Sequence, residues 1–271
     1  MQSLTRHPRN PGGEADDLRG GSILNSKVIV ITGASGGIGA ALAEAVASRG
    51  ASVALVARRD RELRAACERC GSNAVAIVAD VSRREDVQRV AHESLQRFDH
   101  IDVWVNNAGQ GITRLPSELT DDDVDRMMQI NVKSVLYGMQ AILPHFMERG
   151  EGQIVNVSSM LGRIPSKPFR SAYNGAKHFV NALTANFRAE YAESHPGIVF
   201  SLVSPGVVRT EFGVSSMYGG PDSRQVAESQ SAEEAALVFV DVIESRREDV
   251  YTFAGARDRV IDYYSNIGED P

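Results

Sequence analysis

From Lys27 to about residue 250, short apolar runs alternate with longer stretches in which apolar positions recur at helical spacing. The runs near 28–32, 53–57, 74–79, 102–105, 153–158 and 198–203 read as strands, with a further short one near 249–253. Amphipathic helices are expected between them, near 37–49, 60–70, 83–97, 120–149, 172–194 and 232–246. Ser82-Arg83-Arg84-Glu85 and Ser231-Ala232-Glu233-Glu234 match the capping box, so each is expected to start a helix. Strands buried on both faces by such helices predict an α/β chain: a doubly wound parallel sheet of about seven strands with helices on both faces. Its ligand crevice lies beyond the carboxyl ends of the strands, so motifs at strand ends are the ones to weigh.

Composition narrows the picture. Residues 1–25 are polar and rich in Pro, Gly and charge, and are expected to form a disordered leader ahead of a single domain over 26–271. No run of eighteen apolar residues is present, so no membrane span is expected. The net charge of −6 offers no basic field for nucleic acid and points to a small-molecule substrate. Cys67 and Cys70 form a CxxC, but they lie in a helix-like run with no second Cys or His pair at ligand spacing, which predicts two thiols on one helical segment and no metal site. With no secretory signal, a cytoplasmic protein is expected.

The densest chemistry lies in Val28-Ile29-Val30-Ile31-Thr32-Gly33-Ala34-Ser35-Gly36-Gly37-Ile38-Gly39. A buried strand, a glycine turn and a helix start follow one another directly. Glycines at 33, 37 and 39 let backbone approach a pyrophosphate, and the helix start offers unpaired N–H groups and the positive end of its dipole. A nucleotide cofactor follows as the first expectation.

Together with this turn, Asn106-Asn107-Ala108-Gly109, Asn131, Ser159, Tyr173-Asn174-Gly175-Ala176-Lys177 and Pro205-Gly206 resemble, in order and spacing, the short-chain dehydrogenase/reductase family over about residues 27–250. The resemblance implies a Rossmann-type oxidoreductase. It also implies a substrate lid over about 211–230 and a homodimer or homotetramer formed through the two long helices.

Tyr173 and Lys177 stand one helical turn apart, on one face of the helix after the fifth strand. A free phenol has a pKa of about 10, and a nearby ammonium is expected to lower it. Tyr173 can then exchange a proton with a carbonyl or alcohol oxygen while a hydride moves to or from nicotinamide. Ser159 ends the fifth strand, where its hydroxyl can polarise the reacting oxygen. Ser158 competes for that role, and Ser159 is preferred because Gly162 follows it by three, as in the family; the fourteen positions to Tyr173 exceed the family's usual thirteen by one. The resemblance gives Asn131 a local helix irregularity and a water path to the lysine.

Cofactor choice is read after the second strand, where Val56-Ala57-Arg58-Arg59 has Ala57 in the place of the acidic residue of NAD-specific members. Arg58 can chelate a 2′-phosphate and Ser35 can add a hydroxyl, so NADP(H) is expected over NAD(H). By resemblance, Asp80 and Val81 border the adenine, Asn107, Ala108 and Gly109 wall the cleft, and Pro205, Gly206, Val208 and Thr210 hold the nicotinamide carboxamide. Gly33, Ser35, Gly37, Ile38 and Gly39 complete the cofactor set, with Tyr173 and Lys177 also touching it.

Arg163, Lys167 and Arg170 put three cations between Ser159 and Tyr173. They read as charges that keep a surface loop solvated, with an anionic substrate as the alternative. Residues 251–267 are expected to add a short helix with Val260, Ile261 and Tyr264 on one side. A carbonyl reductase or alcohol dehydrogenase is the function expected; a reductase of 3-oxoacyl thioesters and a non-catalytic NADP(H)-binding regulator are the alternatives.

Overall fold

The computed structural model describes residues 24–268; of the expected leader, residues 1–23 lie outside the described part. Leu24 is 1% exposed and packs in the core. Seven strands form one sheet: β1 Val28–Thr32, β2 Ser52–Ala57, β3 Ala74–Val78, β4 Val103–Asn106, β5 Gly152–Val157, β6 Ile198–Ser204 and β7 Asp249–Tyr251. Their order is β3-β2-β1-β4-β5-β6-β7 and every pairing is parallel. The chain doubles back between β1 and β4, which opens a crevice at their carboxyl ends.

Period-two alternation assigns the two faces of the sheet. Ile29 and Ile31 of β1 pack with Leu42 and Val46 of α1 (Gly37–Ala47), Leu63 of α2 (Asp60–Cys70) and Phe239 of α7 (Ala232–Ser245). Val28 and Val30 face the opposite layer, with Val87 and Val90 of α3 (Arg84–Phe98), Met139 and Phe146 of α5 (Ser134–Arg149) and Val180 of α6 (Ser171–Tyr191). Each such fully buried side chain contributes about 1.5–3 kcal/mol by leaving water.

The helix expected over 120–149 is broken. It runs as α4 (Asp121–Met128), a π turn over Gln129–Lys133, and α5. Asn131 accounts for the break: its Nδ2 donates to Met127 O at 3.2 Å and to Gln110 O at 3.0 Å, and its Oδ1 accepts from Gln110 N–H at 3.0 Å. A side chain inserted into the backbone ladder widens the turn.

Two caps depart from expectation. Ser231 and Glu234 form the predicted box on α7. Ser82 does not cap α3; its N–H and Oγ–H both donate to Asp80 Oδ1, while Asp86 accepts from Asp80 N–H at 2.9 Å. The shorter Asp80 side chain captures the serine before it reaches the helix. Thr120 and Asp123 instead form a box on α4, which the acidic run 121–123 had masked. The last helix, α8 (Ala256–Ser265), forms where expected, with Ile261 and Tyr264 about half exposed.

Candidate active site

A cleft of about 1830 Å³ lies over the carboxyl ends of the strands. At one end β1 gives way to the glycine turn. Gly33 has φ +69°, and a Cβ there would stand 2.8 Å from Ala108 Cα; a Cβ on Gly39 would stand 2.5 Å from Gly33 O. Only glycine lets the turn fold this tightly against the chain after β4. Thr32 and Asn107 lock the two strand ends together: Thr32 Oγ1 accepts from Asn107 N–H at 3.0 Å and Ala108 N–H at 3.1 Å, and Asn107 Nδ2 donates to Thr32 O at 2.8 Å. The N-terminus of α1 carries no capping side chain and no acidic residue in its first turn, which leaves its backbone donors without a side-chain competitor.

The other predicted cofactor residues border the same cleft. Ser35, Gly37, Ile38, Arg58, Asp80, Val81, Gly109, Pro205, Gly206, Val208 and Thr210 all line it. Thr210 reaches across to the glycine turn, its Cγ2 3.2 Å from where a Gly37 Cβ would be. Val208 bridges to Gln230, which ties the chain after β6 to the far end of the segment 211–230.

Arg59 was missed in the sequence. Its Nε donates to Ser35 Oγ at 3.2 Å and its Nη2 to Ser35 O at 3.4 Å, with Glu211 3.5 Å from Nη1. Arg58 is exposed at the same rim. Two adjacent arginines signalled a cation here, but which one turns to the glycine loop depends on side-chain paths that spacing does not encode.

Deeper in the cleft, Tyr173, Lys177 and Ser159 meet. Both members of the α6 pair are buried, at 6% and 3% exposure. Lys177 Nζ donates to Val157 O at 2.8 Å and lies 5.7 Å from the Tyr173 ring centre. A Cβ on Gly109 would lie 2.9 Å from Asn131 Oδ1 and 3.6 Å from Lys177 Nζ, so the π turn and the lysine approach the same backbone point. Ser159 Oγ accepts from Leu161 N–H at 3.1 Å, at the start of a short 3-10 turn, and lines the cleft. Ser158 also borders the cleft, but its hydroxyl is committed to Asn181 Oδ1 and to Lys177 O, which holds α6 against β5.

Electrostatics here differ from expectation. Burial pushes the Tyr173 phenol up to about 12, against the smaller opposing effects of hydrogen bonding to Ser159 and of the Arg170 charge. The expected lowering by Lys177 does not prevail in this site, because the ammonium is itself buried, turned toward Val157 O, and pulled down to about 8 by loss of solvent.

The three loop cations part company. Arg163 pairs with Asp249 at 2.7 Å, and Lys167 is exposed. Arg170 contradicts the solvated-loop reading: it is 8% exposed, lines the cleft, and its Nη1 donates to Ile112 O at 3.1 Å and Ser216 Oγ at 2.5 Å. The segment 211–230 is held rather than free. Met217 exchanges backbone bonds with Gly111 and Thr113, and Tyr218 OH donates to Asp123 Oδ1 at 2.7 Å while its ring packs 4.3 Å beneath the Arg114 guanidinium.

On the CxxC, burial pushes the Cys70 thiol up to about 11 and raises Cys67 as well, which keeps both protonated. Neither lies near the cleft chemistry: both pack at the edge of the core.

The model of the short chain dehydrogenase family matches residues 27–217, and the chain belongs to that family. It is therefore an oxidoreductase of the short-chain class. Among relatives, an uncharacterized oxidoreductase of Staphylococcus epidermidis is 32% identical over 217 residues, which is 79% of this chain and 90% of that protein. Among solved structures, a short-chain dehydrogenase/reductase from Burkholderia phymatum in complex with NAD aligns with TM-score 0.82 at 25% identity, covering 92% of this chain and 98% of that one. A 3-ketoacyl-(acyl-carrier-protein) reductase from Brucella melitensis complexed with NADH gives 0.78 at 26%, covering 86% and 99%. An alcohol dehydrogenase from Thermococcus sibiricus complexed with 5-hydroxy-NADP gives 0.73 at 30%, covering 83% and 95%. Among the described residues, no helix is long and apolar enough to cross a membrane.

Proposed function

We propose that the protein moves a hydride between NADP(H) and a carbonyl or secondary alcohol, with Tyr173 as general acid and base. The observation that carries this reading is the convergence of Tyr173, Lys177 and Ser159 on the floor of a cleft whose other end is a glycine turn at a helix N-terminus. The turn suits a pyrophosphate, since its glycines are held at contact distance from neighbouring backbone and no side chain occupies the helix end. Arg58 and Arg59 at the rim, with Ser35, favour a 2′-phosphate, and no carboxylate ends β2 to accept a free 2′-hydroxyl. When bound, the nicotinamide supplies or accepts the hydride.

In reduction, Ser159 Oγ donates a hydrogen bond to the substrate carbonyl oxygen and Tyr173 Oη passes its proton to that oxygen. Lys177, with a pKa of about 8, exchanges protons near neutrality and replenishes the phenol. Asn131 acts through position, holding Gln110 and the π turn against the lysine. In oxidation the same groups run in reverse.

Assembly through the long helices, as a homodimer or homotetramer, belongs to the same reading. Exposed Met147 on α5 and Phe179 on α6 support it, since large apolar side chains on two neighbouring helices are suited to a partner.

The test is purified protein with NADPH or NADH and a panel of ketones, diketones and acyl thioesters, read by loss of reduced cofactor and by the alcohol formed. Alcohol formation with NADPH favoured is expected. Cofactor binding with no turnover on any compound, in either direction, would favour the regulator instead.

A further inference from the structure

Arg170 carries a charge that the protein leaves unanswered. A guanidinium keeps its proton at any physiological pH, and a buried one is ordinarily paired with a carboxylate. Arg170 is 8% exposed and makes no ion pair among the described residues. Its two protein hydrogen bonds, to Ile112 O and Ser216 Oγ, both come from Nη1. Among the described residues, Nε and Nη2, the donors along the adjacent edge, make none. That edge matches a carboxylate in spacing and direction, two parallel N–H groups for two oxygens.

The place is also specific. Arg170 is the N-cap residue of α6, three positions before Tyr173, and both line the cleft. Glycines make room for it: a Cβ on Gly111 would stand 2.6 Å from Nη1, and one on Gly220 would stand 2.9 Å from Nη2. Beside Gly111, Gln110 borders the cleft with a buried Oε1 that has no hydrogen-bond partner among the described residues, an acceptor suited to a ligand hydroxyl and not to a carboxylate. Around these groups the walls are apolar, with Leu161, Phe169 and Phe212.

We propose that Arg170 selects the substrate: the preferred substrate is an oxo acid, or the matching hydroxy acid, whose carboxylate pairs with the Nε–Nη2 edge while its carbonyl lies at Tyr173. The inference rests on the hydride-transfer reading above and narrows its substrate class. The two parallel N–H groups of that edge match the two oxygens of a planar carboxylate, so the carboxylate is the fitting group.

The experiment compares kcat/KM for a graded series of oxo acids, the carboxylate set progressively farther from the ketone, each against its methyl ester and against a phosphorylated ketone of similar length. In wild type, at least one acid is expected to exceed its ester by about 10- to 100-fold, the range of a charge-assisted bidentate contact. Arg170→Gln is expected to bring that acid-to-ester ratio to near one, and Arg170→Lys to retain part of it. Acid-to-ester ratios near one in wild type, a preference for the phosphorylated ketone, or a ratio that survives Arg170→Gln would each overturn the proposal, while esters that are still reduced leave the hydride-transfer reading intact. Failure to turn over every compound with either cofactor removes that reading and the proposal together. The wild-type ratios decide alone if the variants do not fold.

Discussion

Lys177 holds its charge where burial penalises it, and that penalty has a pH signature. Its folded-state pKa is drawn from 10.5 to about 8, so between those values the unfolded chain binds more protons than the folded one and stability rises with pH. Below about pH 8 the full cost applies, on the order of 3 kcal/mol for a shift of this size. Urea unfolding of wild type and Lys177→Met at about pH 7 and about pH 9.5 should therefore show wild type gaining on the variant by about 2 kcal/mol at the higher pH; curves that keep a constant separation would contradict a buried charged lysine. The rim arginines are tested in the same way, by difference. Arg58→Ala and Arg59→Ala should each weaken NADPH binding about tenfold or more and leave NADH within about twofold, as expected for loss of a guanidinium–phosphate contact. Fluorescence titration measures both, and unchanged NADPH affinity in the two variants would exclude the 2′-phosphate role. At this scale the sequence was legible where position alone decides. Tyr173 and Lys177 lie together by helical spacing, and Ser159 joins them from the N-cap of the 3-10 turn two residues past the end of β5, rather than from the strand end itself. Arg59 and Arg170 were not legible, because their contacts with Ser35, Ile112 and Ser216 join segments far apart in the chain.

Elements follow the periodic pattern, and depart from it where a side chain competes with the backbone. Helical spacing continued through residues 120–149, yet Asn131 splits that stretch by bonding Met127 O and both backbone groups of Gln110. Asp80 intercepts Ser82 and cancels a cap that the sequence pattern allowed. Side chains also fix the segment 211–230: Tyr218 and Arg114 converge on Asp123 and clasp it. Tyr218 adopts φ +63°, a left-handed backbone that a tyrosine rarely takes, and the clasp is what holds it there. Tyr218→Phe keeps the ring over Arg114 and deletes the bond to Asp123. Limited proteolysis should cut the variant within 211–230 several-fold faster than wild type, since local opening governs cleavage; equal rates would mean that the clasp does not restrain the segment.

Across the whole molecule, the sheet order places every strand-end motif on one rim. β1 and β4 bring the glycine turn and Asn107-Ala108-Gly109 together, β5 and α6 supply Ser159, Tyr173 and Lys177, and the chain after β6 returns Thr210 to the glycine turn. This is why the fold and most of the candidate site could be read from short motifs: a parallel sheet converts strand order into convergence at one edge. The burial of Arg170 was not legible in the same way, because it is decided by packing between its loop, residues 111–114 and the segment 211–230. The central claim is tested most directly by Tyr173→Phe, assayed for NADPH-dependent alcohol formation alongside NADPH binding by fluorescence. Removing the proton donor should lower turnover by about 10²–10⁴-fold, the range for general acid–base catalysis, with NADPH affinity changed by less than about threefold. A variant that binds NADPH normally and still reduces the substrate at the wild-type rate would contradict the assignment of the phenol as the proton donor.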